Sequence, residues 1–474
     1  MRGMTLRCIA DACGGILHEK DGMGDQEVTF VTTDSRQASE GCLFAAIRGA
    51  KADGHRFIPS VYEKGAICVI TEEALPEDAK GSWIKVISTL QALKDIAEYY
   101  LRVMNIPVVG ITGSVGKTST KEMIAAVLSR KYRTLKTLGN FNNELGLPLT
   151  VFRLQEEDEI AVLEMGISDF GEMHRLAKIA RPDTCVITNI GQCHLENLKD
   201  RDGILRAKTE IFDFLKPARH IILNGNDDKL VTVKNVNGIR PVFFGLKKTF
   251  ASEEERREDC CDRDRLAVWA DDIESRGLDG ISCRIHAEQG CFSVIIPIPG
   301  QHMVYNALAG TAVGLTYGLT LEEIKAGIES LEPLSGRFHI IKTENCTIID
   351  DCYNANPVSM KASLDVLQEG SGRRVAILGD MGELGENEAA LHEEVGVFAG
   401  NCRIDKIIAV GPLSAGLVRK AGEQNQGLDT IHYNTLEELL ENLDTQVQKG
   451  DTILVKASHF MEFPKVVEAL QLCM

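Results

Sequence analysis

The stretch that most constrains this chain is Gly110-Ile111-Thr112-Gly113-Ser114-Val115-Gly116-Lys117-Thr118-Ser119. A β-branched pair, Val108-Val109, precedes it, and a helical pattern from Lys117 to Arg130 follows. The order is therefore strand, glycine-rich turn, helix. Glycines let successive backbone N–H groups converge on phosphate oxygens, and a helix N-terminus adds partial positive charge. Lys117 is expected to reach the terminal phosphates of a nucleoside triphosphate, and the hydroxyl of Thr118 to ligate Mg²⁺. Gly113, Ser114, Val115, Gly116 and Ser119 complete the cradle. Ile111 stands where the strict Walker pattern has glycine, which makes this the variant T-G-x-x-G-K-T.

With 474 residues the chain is long enough for two to four domains, each with its own core. A formal net charge of −17 excludes a general binder of nucleic acid or of anionic membranes. Met1 to Ile16 carries charges and does not resemble a secretory leader. No stretch approaches the roughly 20 apolar residues of a membrane span. The 14 cysteines, including the pair Cys260-Cys261, lack metal-ligand spacing and read as reduced thiols. A cytoplasmic location is the expectation.

Before the loop, to about Ser88, short strands and turns are expected, with Asp34-Ser35-Arg36 and Asp53-Gly54-His55 among them. Asp34-Ser35-Arg36 is either a plain polar turn or an anion cradle in which Arg36 offers a bidentate fork. Helical spacing runs from about Gln91 to Val103. Beyond it, apolar runs at 160–163, 185–188 and 220–223 are of the kind that parallel sheets bury on both faces. Each ends in polar residues, the first two at Glu164 and at Asn189 with His194. In open α/β sheets the ligand crevice lies beyond the C-terminal ends of the strands. Lys247 to Gly290 reads as charged and irregular, with Glu253 to Glu258 a solvated run. Cys291 to Ile298 alternates as an antiparallel strand. After Pro333 a second α/β unit is expected, with strands at 347–350, 375–378, 406–410 and 452–455 and helices between them.

The residues beyond the loop add chemistry. Glu164, His194 and Lys208 form a second cluster, in which the carboxylate and the imidazole suit a divalent cation. Ser335-Gly336-Arg337-Phe338 and Asp351-Cys352-Tyr353-Asn354-Ala355-Asn356-Pro357 form a third. Arg337 could clamp a phosphoryl group, and Asp351 a ribose or phosphate. The plain alternative is a strand end followed by a turn whose Pro357 opens a helix.

The motifs together resemble the Mur ligase family. They are Thr33-Asp34-Ser35-Arg36 with Asp53-Gly54-His55, T-G-S-V-G-K-T-S, Gly139 to Gly146, Glu164-Met165-Gly166, Asn189-Ile190-Gly191 with His194-Leu195-Glu196, Ala207-Lys208-x-Glu210-Ile211, Gly300-x-His302-x-x-Tyr305-Asn306-Ala307, Asp351 to Pro357 and Gly379 to Gly385. They cover nearly the whole chain in family order. The resemblance is strongest to the branch that adds D-Ala-D-Ala to UDP-MurNAc-tripeptide.

It implies an α/β fold of three domains. These are a small mixed α/β UDP-substrate domain over 1–88, a central P-loop ATPase-like domain over 89–332 and a C-terminal Rossmann-like domain over 333–474. It further implies that Lys117, Glu164, His194, Lys208 and Arg337 are catalytic. ATP would contact 113–119, Asn306, Arg337 and Asp351. Asp34, Ser35, Arg36, Asn142 and Asn143 would face the substrates. Thr118, Glu164, His194 and a carbamylated Lys208 would hold Mg²⁺. Only a neutral amine attacks CO₂, so a carbamate requires burial that depresses the ordinary lysine value of about 10.4.

The chain departs from the family pattern at Met303, where asparagine is usual, at His459, where arginine is usual, and at Val115. The expected reaction is ATP-dependent amide formation through an acyl phosphate, by a monomer without nucleic-acid or membrane partners. The branch that adds the third stem residue is disfavoured by the absence of D-N-P-R. A folate-type ligase is disfavoured by the D-S-R and D-G-H motifs, and a non-catalytic nucleotide binder by the presence of Glu164, His194 and Lys208.

Overall fold

A computed structural model describes residues 1–49, 52–215, 219–247 and 266–472. The chain divides into two compact units. One comprises 1–112, 131–186 and 208–220; the other comprises 113–130, 187–207 and 221–474.

The first unit contains a five-stranded sheet in the order Ile16–His18, Ser82–Lys85, Cys68–Thr71, Leu43–Ala45, Val31–Thr32. Its pairs are parallel except the first. Phe44, Val69, Val61 and Ile58 pack its core. The helix Thr89–Met104 starts where Ser88 Oγ accepts the Gln91 N–H, and it ends at Asn105 in the left-handed region. The strand Val108–Thr112 then pairs in parallel with Ile160–Glu164, which pairs with Thr134–Lys136. Both longer strands are buried at every position, as their unbroken apolar runs require of a covered parallel sheet. Gly110 is demanded by packing, since a Cβ there would come 3.1 Å from both Met165 Sδ and Pro182 Cβ.

In the second unit the helix Lys117–Leu128 lies against the helices His302–Thr316 and Leu321–Glu329. The approach is close because it passes over glycines: a Cβ on Gly327 would lie 2.5 Å from Val127 Cα. The segment expected to be irregular up to Gly290 instead contains two strands, Leu266–Ser275 and Ile281–Ala287, which form an antiparallel meander with Gly290–Ile296. Val268, Ala270, Ile281, Cys283 and Ile285 are buried while the acidic residues between them face out. Period-2 alternation was present but masked by Asp271-Asp272 and Glu274. The run Glu253 to Glu258 lies outside the described residues.

The C-terminal sheet has the order His339–Lys342, Thr347–Asp350, Thr452–Lys456, Arg374–Gly379, Lys406–Val410, Asp429–Tyr433, and only its first pair is antiparallel. The expected strands are present to within one residue at each end. Their carboxyl ends release three loops at one edge, after Asp350, Gly379 and Lys456, and hydrogen bonds lace these together. Ser458 N–H donates to Asp380 O, Ser458 Oγ donates to Ala355 O, and Gly382 N–H donates to Ser458 Oγ.

Candidate active site

The phosphate-binding loop is held open by its neighbours in the chain's own sequence order. Gly113 has φ 152°, and a Cβ there would sit 1.9 Å from Thr188 Oγ1, so no other residue fits. Thr188 Oγ1 and Asn189 Nδ2 both donate to Val115 O, while Val115 N–H donates to Asn189 Oδ1. Ser114 Oγ donates to Gly191 O and accepts the Gly191 N–H. The helix starts after Gly116 at φ 80° without a side-chain cap, and a helix N-terminus carries the partial positive charge that suits an anion. Lys117 Nζ donates to Gly113 O at 2.8 Å, curled over the loop. The sequence reading had not assigned Thr188 or Asn189, although the polar end of their strand was the signal for them.

Asn306 reaches the same helix. Its Oδ1 accepts from Thr120 Oγ1 at 2.8 Å, and its Nδ2 points at Met303 Sδ at 3.2 Å. Met303 therefore occupies, with a soft acceptor, the place where asparagine is usual. His194 sits in the left-handed region at φ 51°, and its Nδ1 lies 2.9 Å from Glu383 Oε2. The hydrogen bond from His194 holds the Glu383 carboxyl below its usual value, with a smaller contribution from the charge of Lys117.

Arg337 and Asp351 lie together at the end of Thr347–Asp350. Ser335 Oγ and Gly336 N–H donate to Asp350 Oδ2, and the Arg337 guanidinium covers the Tyr353 ring at 4.1 Å. His459 meets the same ring edge-on at 5.9 Å. Asp351 is engaged by Lys456 Nζ at 2.6 Å and by Ser363 Oγ at 2.7 Å. Lys456, which the sequence reading passed over, also donates to Asn354 O, so it fixes the turn 351–356. Asn356 is the cap of the helix Pro357–Leu367 in a reciprocal pair with Ser359.

Lys456 and Asp351 are 2% and 6% exposed. Removing one charge of a buried pair strands the other, at about 3–5 kcal/mol. Lys456→Met is expected to lose that much stability in denaturant unfolding, and the double variant with Asp351→Asn to regain part of it.

His302, in the G-x-H motif, is half-buried, with its Nε2 enclosed. Its Nε2 has no hydrogen-bond partner, and burial drives its pKa down to about 4. The unfolded chain binds this proton below about 6.5 and the folded chain only below about 4. Stability is thus unaffected above about pH 6.5 and falls as the pH drops toward 4, by up to about 3 kcal/mol. His302→Leu is expected to flatten the loss measured by unfolding at pH 7 and pH 5.

The remaining candidates belong to the other unit. Glu164 is 2% exposed at the end of its strand; its N–H donates to Thr137 Oγ1 and its Oε1 accepts from Asn142 Nδ2 at 2.8 Å. Asn143 Oδ1 accepts the N–H groups of Leu145 and Gly146, shaping the start of the helix Gly146–Val151. Lys208 is fully buried. Arg36 forks onto Asp34, at 2.7 Å for its shortest contact, and this holds the Asp34 carboxyl down at about 2. The Ser35 carbonyl accepts from Lys64. The loop is thus an ion-paired turn with the Arg36 side chain 88% exposed. Asp53, His55 and Glu73 also converge, but Arg48 already pairs with both carboxylates and both His55 nitrogens are engaged, by Asp53 Oδ1 and the Glu72 N–H.

The hydroxyl of Thr118 and the carboxylate of Glu164 are both buried, and as hard oxygen donors they fit Mg²⁺. No helix among the described residues is long and apolar enough to cross a membrane.

Comparison with known proteins covers the whole chain. Three family models match in sequence: "Mur ligase family, catalytic domain" over 27–101, "Mur ligase middle domain" over 111–314 and "Mur ligase, glutamate ligase domain" over 336–459. The UDP-N-acetylmuramoyl-tripeptide–D-alanyl-D-alanine ligase of Bacillus subtilis is 37% identical over 471 residues, 98% of each chain. The Escherichia coli ligase of the same name is 34% identical over 99% of each. Among solved structures, MurF from Acinetobacter baumannii superposes with a TM-score of 0.86 at 32% identity, covering 99% of this chain and 98% of that one. MurF from Thermotoga maritima in complex with ADP gives 0.79 at 28% identity, covering 93% and 97%. Both the α/β architecture and the motif order therefore lead to one conclusion: the chain belongs to the Mur ligase family.

Proposed function

We propose that the protein is an ATP-dependent peptide ligase that joins D-Ala-D-Ala to UDP-MurNAc-tripeptide, giving UDP-MurNAc-pentapeptide, ADP and phosphate in peptidoglycan precursor synthesis. The observation that carries the reading is the end-to-end likeness to ligases of that name, at 37% and 34% identity, combined with a glycine-rich loop that runs directly into a helix start without a side-chain cap.

The chemistry follows from what a carboxylate needs. It is a poor electrophile until an oxygen is converted into a phosphate leaving group. The substrate carboxylate attacks the γ-phosphorus of ATP and ADP departs, leaving an acyl phosphate. The amine of D-Ala-D-Ala then attacks the acyl carbon, expels phosphate and loses a proton. Lys117 would leave Gly113 O to pair with the terminal phosphates, offsetting the repulsion between carboxylate and triphosphate. Arg337 would stabilise charge on the transferring group, and Asn306 and Asp351 would contact the nucleotide. Asp34, Ser35, Arg36, Asn142 and Asn143 would face the UDP-linked and peptide substrates.

Thr118, Glu164, His194 and a carbamylated Lys208 are the residues that would hold Mg²⁺. The ion supplies a positive charge that draws electron density from the phosphoryl oxygens. The domain limits 1–88, 89–332 and 333–474, a cytoplasmic location and a monomeric state belong to the same proposal.

The test is phosphate release from ATP with UDP-MurNAc-tripeptide, with and without D-Ala-D-Ala. Sustained release and a pentapeptide product only when the dipeptide is present are expected. Ligation of a different amine, with none of D-Ala-D-Ala, would overturn the proposal.

A further inference from the structure

The hydrogen bond between His194 and Glu383 joins two residues that are each held in an uncommon backbone conformation. His194 has φ 51° and Glu383 φ 62°, a region that non-glycine residues occupy only where surrounding structure compels it. Glu383 belongs to the segment Gly379 to Gly385, which no step above uses. Its neighbours explain how the segment is fixed. Met381 N–H donates to His392 Nε2, Gly382 N–H donates to Ser458 Oγ, and Gly385, at φ 68°, sits against the backbone of Glu196. The loop therefore delivers a carboxylate to His194 from the Rossmann-like sheet.

The direction of the hydrogen bond is set by chemistry. An ionised carboxylate only accepts, so at 2.9 Å the proton must lie on His194 Nδ1. The lone pair of the neutral ring is then on Nε2, and the ring is fixed in rotation. A histidine that binds a metal through one nitrogen is commonly oriented in this way through the other.

We propose that Glu383 is a positioning residue that selects the Nδ1–H tautomer of His194 and so presents Nε2 to the divalent cation. Cation binding then depends on the loop 379–385 being docked. This rests on the reading of His194 as a cation-side residue.

The test uses the full-length protein with Mn²⁺ as the probe, its free concentration read by electron paramagnetic resonance in the presence of a non-hydrolysable ATP analogue. Glu383→Ala is expected to weaken Mn²⁺ binding about tenfold or more. Glu383→Gln, which keeps an accepting oxygen, should restore most of it. Selective ¹⁵N-histidine spectra without metal should show Nδ1–H at His194 in the wild type and a tautomer mixture in Glu383→Ala. Glu383 is 67% exposed in its side chain, so these variants fold. Wild-type Mn²⁺ affinity in Glu383→Ala alongside weakened binding in His194→Ala would overturn the positioning role alone. Wild-type affinity in His194→Ala would overturn the cation-side reading and the inference with it.

Discussion

Lys117→Ala is expected to lower kcat/KM for ATP by about a thousandfold. The lysine has no structural task that would compete with this one. Its hydrogen bond goes to the carbonyl of Gly113, four residues away, and the loop geometry is set instead by Thr188, Asn189 and Ser114. The melting temperature should therefore stay within a few degrees of wild type while ligation collapses. Lys117→Arg should not rescue, because a planar fork cannot occupy the space of a compact ammonium over the loop. Measured ligation in the alanine variant within tenfold of wild type would remove Lys117 from the phosphate site.

Lys208→Ala is expected to abolish ligation nearly completely, with partial recovery in millimolar acetate or formate. Lys208 is fully buried, and the carbamate reading requires its amine in the neutral form that reacts with CO₂. Carbamylation of the neutral amine by CO₂ forms one N–C bond, releases one proton and leaves an anion that a metal would accept. Truncation removes that anion and leaves a space of side-chain size, which a small carboxylic acid can enter. The rescue should saturate with acid concentration and should fail with an amine of the same size. Full activity in the variant without additive would defeat the carbamate.

Much of this organisation was legible in the chain. Gly110 to Ser119 announced its strand, turn and helix because each residue type there has one job, and Gly113 tolerates no substitute against Thr188. The parallel strands at 108–112 and 160–164 were readable because burial on both faces demands unbroken apolar runs. The two meander strands between Leu266 and Ala287 were not, because one face is wet and its acidic residues swamp the alternation of Val268, Ala270, Ile281 and Cys283; the third, Gly290–Ile296, was read from its alternation. Side-chain partners across distant segments were equally hidden. Arg36 read equally as part of a polar turn or as an anion fork, and its pairing with Asp34 is visible only in the fold. Lys456 and Glu383 each find their partner far away in sequence, so only the fold reveals that one fixes the turn at Asp351 and the other holds His194.

The central claim is that the γ-phosphoryl group goes to a carboxylate of the UDP-linked peptide and not to water. Labelling both oxygens of that carboxylate with ¹⁸O and analysing the released phosphate by mass spectrometry tests it directly. One ¹⁸O in each phosphate formed, with the other retained in the new amide, is the predicted result. Phosphate carrying oxygen from the solvent alone would contradict it.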